Sequence, residues 1–321
     1  MSFSQQTIQK GGCKLKTIQL GGSPLAVPAA AVGCMRINQL DAAGAEHFIR
    51  HCLDLGANFF DHADIYGGGG ACESLFGDVL RQHPGLRDKM ILQTKCGIVP
   101  GVMFDFSKEH IISAVEGSLQ RLGTSYLDVL LLHRPDTLME PEEVAEAFES
   151  LHAAGKVRYF GVSNQNPWQM QLLQKHLGHK LVADQLQFGP AHASMISAGL
   201  EVNMATDGAV NRDGGVLEYC RLHDITIQAW SPFQYGFFGG VYLGSEKYPE
   251  LNKVIDEIAE KYGVTNTAIV TAWILRHPAR MQMISGTMKE SRMDEIVSGT
   301  GITLTREEWY RIYLAAGNIL P

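Results

Sequence analysis

The stretch LDVLLLHRPDTLMEPEEVAEAFESLHAAGKVRYFGVSN, residues 127–164, decides the fold, because it reads as one strand–helix–strand unit. Leu127–Leu132 is an almost unbroken apolar run, the pattern of a parallel strand buried on both faces. Pro141 suits the first helical position, where its missing N–H is not needed. Val144, Ala147, Phe148 and Leu151 then follow at i, i+3, i+4 and i+7, which marks one apolar helix face. Gly155 is placed to end that helix, and Val157–Val162 returns as a strand.

The same alternation runs outward in both directions. Toward the N-terminus, Lys16–Leu20 and Leu25–Pro28 flank Gly21-Gly22-Ser23 as a hairpin, and Ala30–Gly33 reads as a first strand. Helix Ala42–Leu55 ends at Gly56. Strand Asn58–Phe60, helix Cys72–Arg81, strand Met90–Thr94 and helix Ile111–Leu122 follow, with Ser107 as N-cap. Toward the C-terminus, helix Trp168–Leu177, strand Leu181–Leu186, helix Val216–His223 and strand Ile225–Ala229 continue the pattern. Helices Asn252–Tyr262 and Thr267–Arg276 precede strand Met281–Ile284, helix Lys289–Val297 and a last helix, Thr305–Ala316. Eight strands, each followed by helix, predict an α/β fold: a (β/α)8 TIM barrel with an N-terminal β-hairpin and an extra C-terminal helix. No linker or low-complexity segment divides the chain, so residues 1–321 are expected to form a single barrel domain. A doubly wound sheet would announce a dinucleotide with G-x-G-x-x-G after an early strand, and Gly33-Cys34-Met35-Arg36 does not match. Gly67–Gly70 opens no helix directly and reads as a flexible turn rather than a phosphate cradle.

Composition narrows the function classes. Apolar residues make up 45 % and charged residues 19 % of the 321, enough for a large core. The net charge of −7 and the lack of a Lys/Arg block argue against a nucleic-acid partner. Cys13, Cys34, Cys52, Cys72, Cys96 and Cys220 are scattered, with no C-x-x-C, which fits a reducing, cytoplasmic setting better than a disulfide or zinc scaffold. Met1–Gly12 is polar and lacks the apolar region of a secretory signal, and no apolar run is long enough to span a membrane. No self-complementary apolar stripe stands out, so a monomer is the default expectation.

A barrel carries its active site at the C-terminal strand ends. Asp61, Lys95 and His133 close the second, third and fourth apolar runs, and Tyr66 follows Asp61 by five residues. A tyrosine has an ordinary pKa near ~10, and a nearby ammonium favours the phenolate. Lys95 can supply that charge, Asp61 can hold Lys95, and His133 can donate to an oxygen on which negative charge develops. The set suits protonation of a carbonyl oxygen while a hydride arrives at carbon. Taken singly, each residue reads more often as packing or a structural ion pair than as chemistry, and the joint placement at successive strand ends favours the chemical reading. Farther on, Ser163-Asn164, Gln185, Trp230-Ser231 and Ser285-Gly286-Thr287 close the remaining strands. Lys289 and Arg292 enter the next helix, where free N–H groups and two cations favour a phosphate, or form a plain solvated cap. Trp230 could stack on a nicotinamide or simply pack the rim. Cys34 and Cys96 read as inert buried thiols rather than oxidation-sensitive ones.

With these residues in place, the chain resembles the aldo-keto reductase superfamily. Gly56–Gly67 looks like its G-x-N-x-x-D-x-A-x-x-Y-G signature, Lys95 and His133 match two further catalytic positions, and Gly155–Asn164 matches a second signature. The wording of Asp61–Gly68 and His133–Asp136 resembles the bacterial YdhF-like branch. The resemblance implies reduction of small-molecule aldehyde and ketone carbonyls, with Tyr66 as general acid, Asp61 and Lys95 setting its pKa, and His133 orienting substrate. It also implies an extended NADPH. Ser163, Asn164 and Gln185 would hold the carboxamide, Trp230 would stack on the nicotinamide, and the loop from Ser231 to Gly240 would cover the pyrophosphate. Thr287, Lys289 and Arg292 would meet the 2′-phosphate. Gly33, Met35, Asp61, Pro232, Phe233, Gly286 and Glu295 are further cofactor positions by the same resemblance. Gly286 stands where many members carry a lysine, Ile296 where an asparagine often contacts adenine, and Trp230 where a tyrosine is usual. NADH is therefore the alternative reductant. The polar stretch Ala191–Gly215 reads as a substrate-side insertion or a surface excursion. Two other functions compete: a non-catalytic cofactor-sensing regulator on the same barrel, and a hydrolase holding a metal on Asp61, His62, Asp64 and His133.

Overall fold

The computed structural model describes residues 15–321. The polar Met1–Gly12 segment and Cys13 lie outside the described residues. Eight parallel strands close into a barrel: β1 (Ala30–Gly33), β2 (Phe59–Asp61), β3 (Ile91–Cys96), β4 (Leu127–Leu132), β5 (Val157–Ser163), β6 (Leu181–Gln187), β7 (Thr226–Trp230) and β8 (Met281–Ser285). They neighbour one another in chain order, and β8 closes on β1 through Met283 opposite Ala30. Every residue of β2, β3, β4, β6 and β8 is buried, as a strand lined by side chains inside and helices outside must be.

The helices of the outer ring are α1 (Ala42–Asp54), α2 (Ala71–Gln82), α3 (Lys108–Leu122), α4 (Pro141–Ala153), α5 (Pro167–Gln174), α6 (Ser194–Leu200) and α7 (Val216–Leu222), then α8 (Pro249–Tyr262), α9 (Asn266–Arg276), α10 (Glu290–Gly299) and α11 (Arg306–Ala315). Ser107 caps α3 through the His110 N–H, and Pro141 opens α4, whose buried face is Val144, Ala147, Phe148 and Leu151. The C-terminal helix docks through Trp309, which stacks on Trp273 of α9 with ring centroids 4.8 Å apart. Each indole N–H of that pair donates to the other residue's carbonyl at 3.0 Å. The N-terminal hairpin, Thr17–Gln19 paired with Ala26–Pro28, is fixed to the start of β7 by the Gly21 N–H donating to Thr226 Oγ1 at 2.7 Å. Gly21 has φ +57°, and a Cβ there would lie 2.5 Å from the Val182 carbonyl oxygen, so no other residue fits. Among the described residues no helix is long and apolar enough to cross a membrane.

Two expectations need correction, and one element is new. Gly67–Gly70 leads directly into a helix: Gly70 is the residue before α2. All four glycines have positive φ, so the run is a left-handed turn into a helix. The stretch 191–215 is not a bare loop, since it holds α6 and a short 3-10 turn at Asp207–Ala209. It is tied to α11 by the Ser197 and Tyr313 hydroxyls 2.8 Å apart. A second hairpin, Ile98–Val99 with Met103–Phe104, rises after β3 and was not foreseen from the sequence.

Candidate active site

The strand ends surround a cavity of about 820 Å3. At its base, the Lys95 ammonium is fully buried and uses all three of its protons. Nζ donates to the Asp61 carboxylate at 2.8 Å, to the His62 carbonyl at 2.7 Å and to the Tyr66 hydroxyl at 3.1 Å. Burial pulls the Lys95 pKa down, but Asp61 and Tyr66 more than offset this and leave it above its ordinary value. The lysine is therefore a fixed cation.

Asp61 is held from below by a net of glutamines. Gln93 Nε2 donates to its carboxylate at 2.6 Å and Gln185 Nε2 at 3.2 Å. Gln228 Nε2 donates to Gln93 at 3.0 Å and to Gln282 at 2.9 Å, and Gln282 Nε2 donates to the Pro28 carbonyl at 2.8 Å. Four strands thus share one chain of amides beneath the carboxylate. A buried polar network of this kind fixes one arrangement only when every member is satisfied. Gln93, Gln228 and Gln282 were not among the residues expected at the site. Their signal was a polar residue inside an otherwise apolar strand.

Tyr66 sits in the turn before α2, and its geometry is set by Gly67. That glycine has φ +75°, and a Cβ there would meet Asn38 Nδ2 at 2.7 Å and Cys72 Sγ at 2.9 Å. Burial raises the Tyr66 pKa and Lys95 only partly opposes it, so the net shift is upward. The expectation that the ammonium would leave the phenol below its usual value is not met. Lys95 still favours the phenolate over what burial alone would allow. His133 stands edge-on to Tyr66, with ring centroids 5.8 Å apart. Burial and the Lys95 charge hold its pKa well below the usual histidine value, so it is a neutral imidazole. Its Nδ1 is buried without a protein partner.

The far wall carries a second linked set. Ser163 Oγ donates to the Gln185 carbonyl at 3.0 Å, Asn164 Nδ2 to Ser163 Oγ at 2.7 Å, and Trp230 Nε1 to Asn164 Oδ1 at 3.2 Å. Asn164 and Ser231 both adopt left-handed backbone, with φ +57° and +47°. Gly33, Met35, Pro232 and Phe233 line the cavity beside them. Along β8 and α10, Gly286, Thr287, Lys289 and Arg292 also face it. Glu295 does not; it sits behind Arg292, 3.3 Å from its Nε. Arg36, Arg134 and Ile98 line the cavity without having been expected there, and Phe237 and Phe238 line it from the 231–240 loop. Arg36 Nη1 donates to the Gly286 carbonyl at 3.2 Å and so joins the basic end. No residue of 191–215 reaches the cavity, which corrects the substrate-side reading of that insertion.

The metal alternative finds no ligand set. Among the described residues no three His, Cys, Asp or Glu side chains converge on a point. Asp61 is committed to an ammonium, and His62 packs edge-on against Phe76 at 4.6 Å. Cys34 and Cys96 are buried, and burial raises both thiols well above their usual value, so they are inert.

A closed barrel with an Asp–Lys–Tyr chain at its mouth and a basic strand–helix turn across it defines an oxidoreductase barrel. Comparison with known proteins agrees: the chain belongs to the Aldo/keto reductase family, whose profile matches residues 29–315. It is 36 % identical to oxidoreductase YdhF of Escherichia coli over 277 residues, covering 84 % of this chain and 86 % of that protein. It is equally similar, 36 % over 277 residues with the same coverage, to a 6-dehydroglucose reductase of Agrobacterium fabrum. A thermostable aldo-keto reductase solved with the inhibitor epalrestat has the same fold, with a TM-score of 0.75 over 94 % of this chain and all of that one, at 23 % identity. Aldo-keto reductases are carbonyl-reducing oxidoreductases that use nicotinamide cofactors.

Proposed function

We propose that this chain, acting as one barrel domain, reduces aldehyde and ketone carbonyls to alcohols with NADPH, and that Tyr66 delivers the proton. The observation that carries this reading is the Lys95 ammonium, which bonds Asp61 on one side and the Tyr66 hydroxyl on the other. The residues present fit the cofactor. One end of the cavity offers the amide-binding set Ser163, Asn164 and Gln185 beside the flat Trp230, and the other offers Arg36, Lys289 and Arg292. When bound, the nicotinamide supplies a hydride to the carbonyl carbon.

The protein's own part is to hold and move one proton. Tyr66 Oη gives its proton to the carbonyl oxygen as charge develops there. Lys95, whose Nζ lies 3.1 Å from Tyr66 Oη, stabilises the phenolate left behind. Neutral His133 donates a hydrogen bond to the same carbonyl and so orients it. Asp61 keeps the lysine charged and in place, and the glutamines keep Asp61 in place.

The preference for NADPH over NADH rests on the basic end. Consumption of each nucleotide with a panel of aldehydes and α-dicarbonyls tests it. The expected result is NADPH-dependent turnover. In Arg292→Ala the Kd for NADPH should rise by about tenfold or more, with a smaller change for NADH, since a charge-assisted contact contributes roughly 1.5–3 kcal/mol. Equal effects on both nucleotides would remove the 2′-phosphate role.

A further inference from the structure

Resting on the reductase reading, we propose that Arg134 selects substrates that carry a carboxylate on an apolar or aromatic body. The wall of the cavity holds four cations, Arg36, Arg134, Lys289 and Arg292, against one carboxylate, Asp61, which Lys95 already neutralises. Three of the four belong to the basic end: Arg36 bonds Gly286, and Lys289 and Arg292 follow β8. Arg134 does not. It follows β4, four strands from β8 in a ring of eight, and its guanidinium reaches toward the Trp230 ring at the end of β7.

Arg134 is uncompensated by the protein. Among the described residues no carboxylate stands within 4 Å of it, in contrast to Arg121, Arg158 and Arg292, which each have one. It is half-buried, and its guanidinium lies 5.8 Å from the ring centroids of both Trp230 and Phe237. Aromatic faces stabilise such a cation only in part. Burial accordingly lowers its pKa, with Tyr66 opposing. A half-desolvated guanidinium between aromatic rings is an anion site, because its planar fork matches a carboxylate bidentately. It directly follows His133, the residue that orients the carbonyl. The bound anion and the reacting carbonyl thus belong to one molecule, separated by several bonds. Ile98, Phe237 and Phe238 supply the apolar surface for the body between them.

The test compares 4-formylbenzoate with 4-nitrobenzaldehyde, a neutral analogue of similar shape, in wild type, Arg134→Met and Arg134→Lys. The ratio of kcat/KM for the two aldehydes cancels effects common to both. The ratio should fall by about tenfold or more in Arg134→Met, chiefly through KM, because a site built for an ionic partner discriminates by that much. Arg134→Lys should keep an intermediate ratio, and added salt should lower the wild-type ratio. A ratio constant within about twofold across the three proteins would overturn the inference and leave the reductase reading intact. Equal losses on both aldehydes with a weakened NADPH Kd would also overturn it, by assigning Arg134 to the cofactor. Turnover of neither aldehyde by wild type, with either nucleotide, would sink the reductase reading and this inference together.

Discussion

Lys95 Nζ lies 3.1 Å from the Tyr66 hydroxyl, and the same ammonium is 2.8 Å from Asp61. The lysine is the bridge between a buried carboxylate and an acid that faces the cavity. Without it, Asp61 would be a buried negative charge and Tyr66 an ordinary buried phenol.

Removing the bridge should therefore damage both stability and chemistry. Lys95→Met leaves the Asp61 carboxylate with only its two glutamine donors. Breaking a buried pair by deleting one partner costs about 3–5 kcal/mol, and the glutamines place this case at the low end. Loss of the phenolate's partner should lower kcat/KM by roughly 10²–10⁴-fold. Urea unfolding and steady-state kinetics on the same preparation check both effects. A protein of unchanged stability would show that Asp61 is not held by the lysine.

The pH profile should lack a histidine limb. His133 is held well below its ordinary pKa, so it stays neutral through the usual histidine range and produces no inflection there. Tyr66 is raised, so the alkaline fall in kcat/KM, when the acid loses its proton, should come above the ordinary tyrosine value of about 10. A profile of kcat/KM from pH 6 to 11 decides this. An acid limb near pH 6.5 that disappears in His133→Gln would contradict it.

Asp184 offers a test of folding energetics away from the chemistry. It lies on β6, fully buried, and neither carboxylate oxygen has a hydrogen-bond partner. Burial pushes its pKa up to about 8. The folded value lies above the unfolded value of about 3.9. Its contribution is thus fully present below pH ~4 and is lost as pH rises toward 8. Asp184→Asn removes the titration. Its stability relative to wild type should improve steadily from pH 6 to pH 8.5 in urea unfolding. A constant difference across that range would show that Asp184 ionises normally.

Much of this was legible in the sequence because burial leaves a period. The run Leu127–Leu132 is a strand buried throughout and Val157–Ser163 one buried over its last four residues, and each leads to a polar residue at the cavity, His133 and Ser163. The positions of Asp61, Lys95 and His133 followed from that rule, and Tyr66 from its spacing to Asp61. Gln93, Gln228 and Gln282 were harder, because one amide in an apolar strand has no sequence partner; only barrel closure brings the three together. Arg36 lies on a single short 3-10 helix and Phe237 and Phe238 on a loop, where no period marks which side chain turns inward. The 191–215 stretch left two readings open for a similar reason: its contact with Tyr313 joins segments 116 residues apart.

The most direct measurement is NADPH consumption with 4-nitrobenzaldehyde by wild type and Tyr66→Phe, with NADPH Kd measured in parallel. The phenylalanine keeps the ring against His133 and removes only the proton and its oxygen. Turnover should fall by about 10²–10⁴-fold while NADPH still binds, because general acid catalysis contributes on that order. Turnover within a fewfold of wild type would contradict the account, since it would take the proton from some other group.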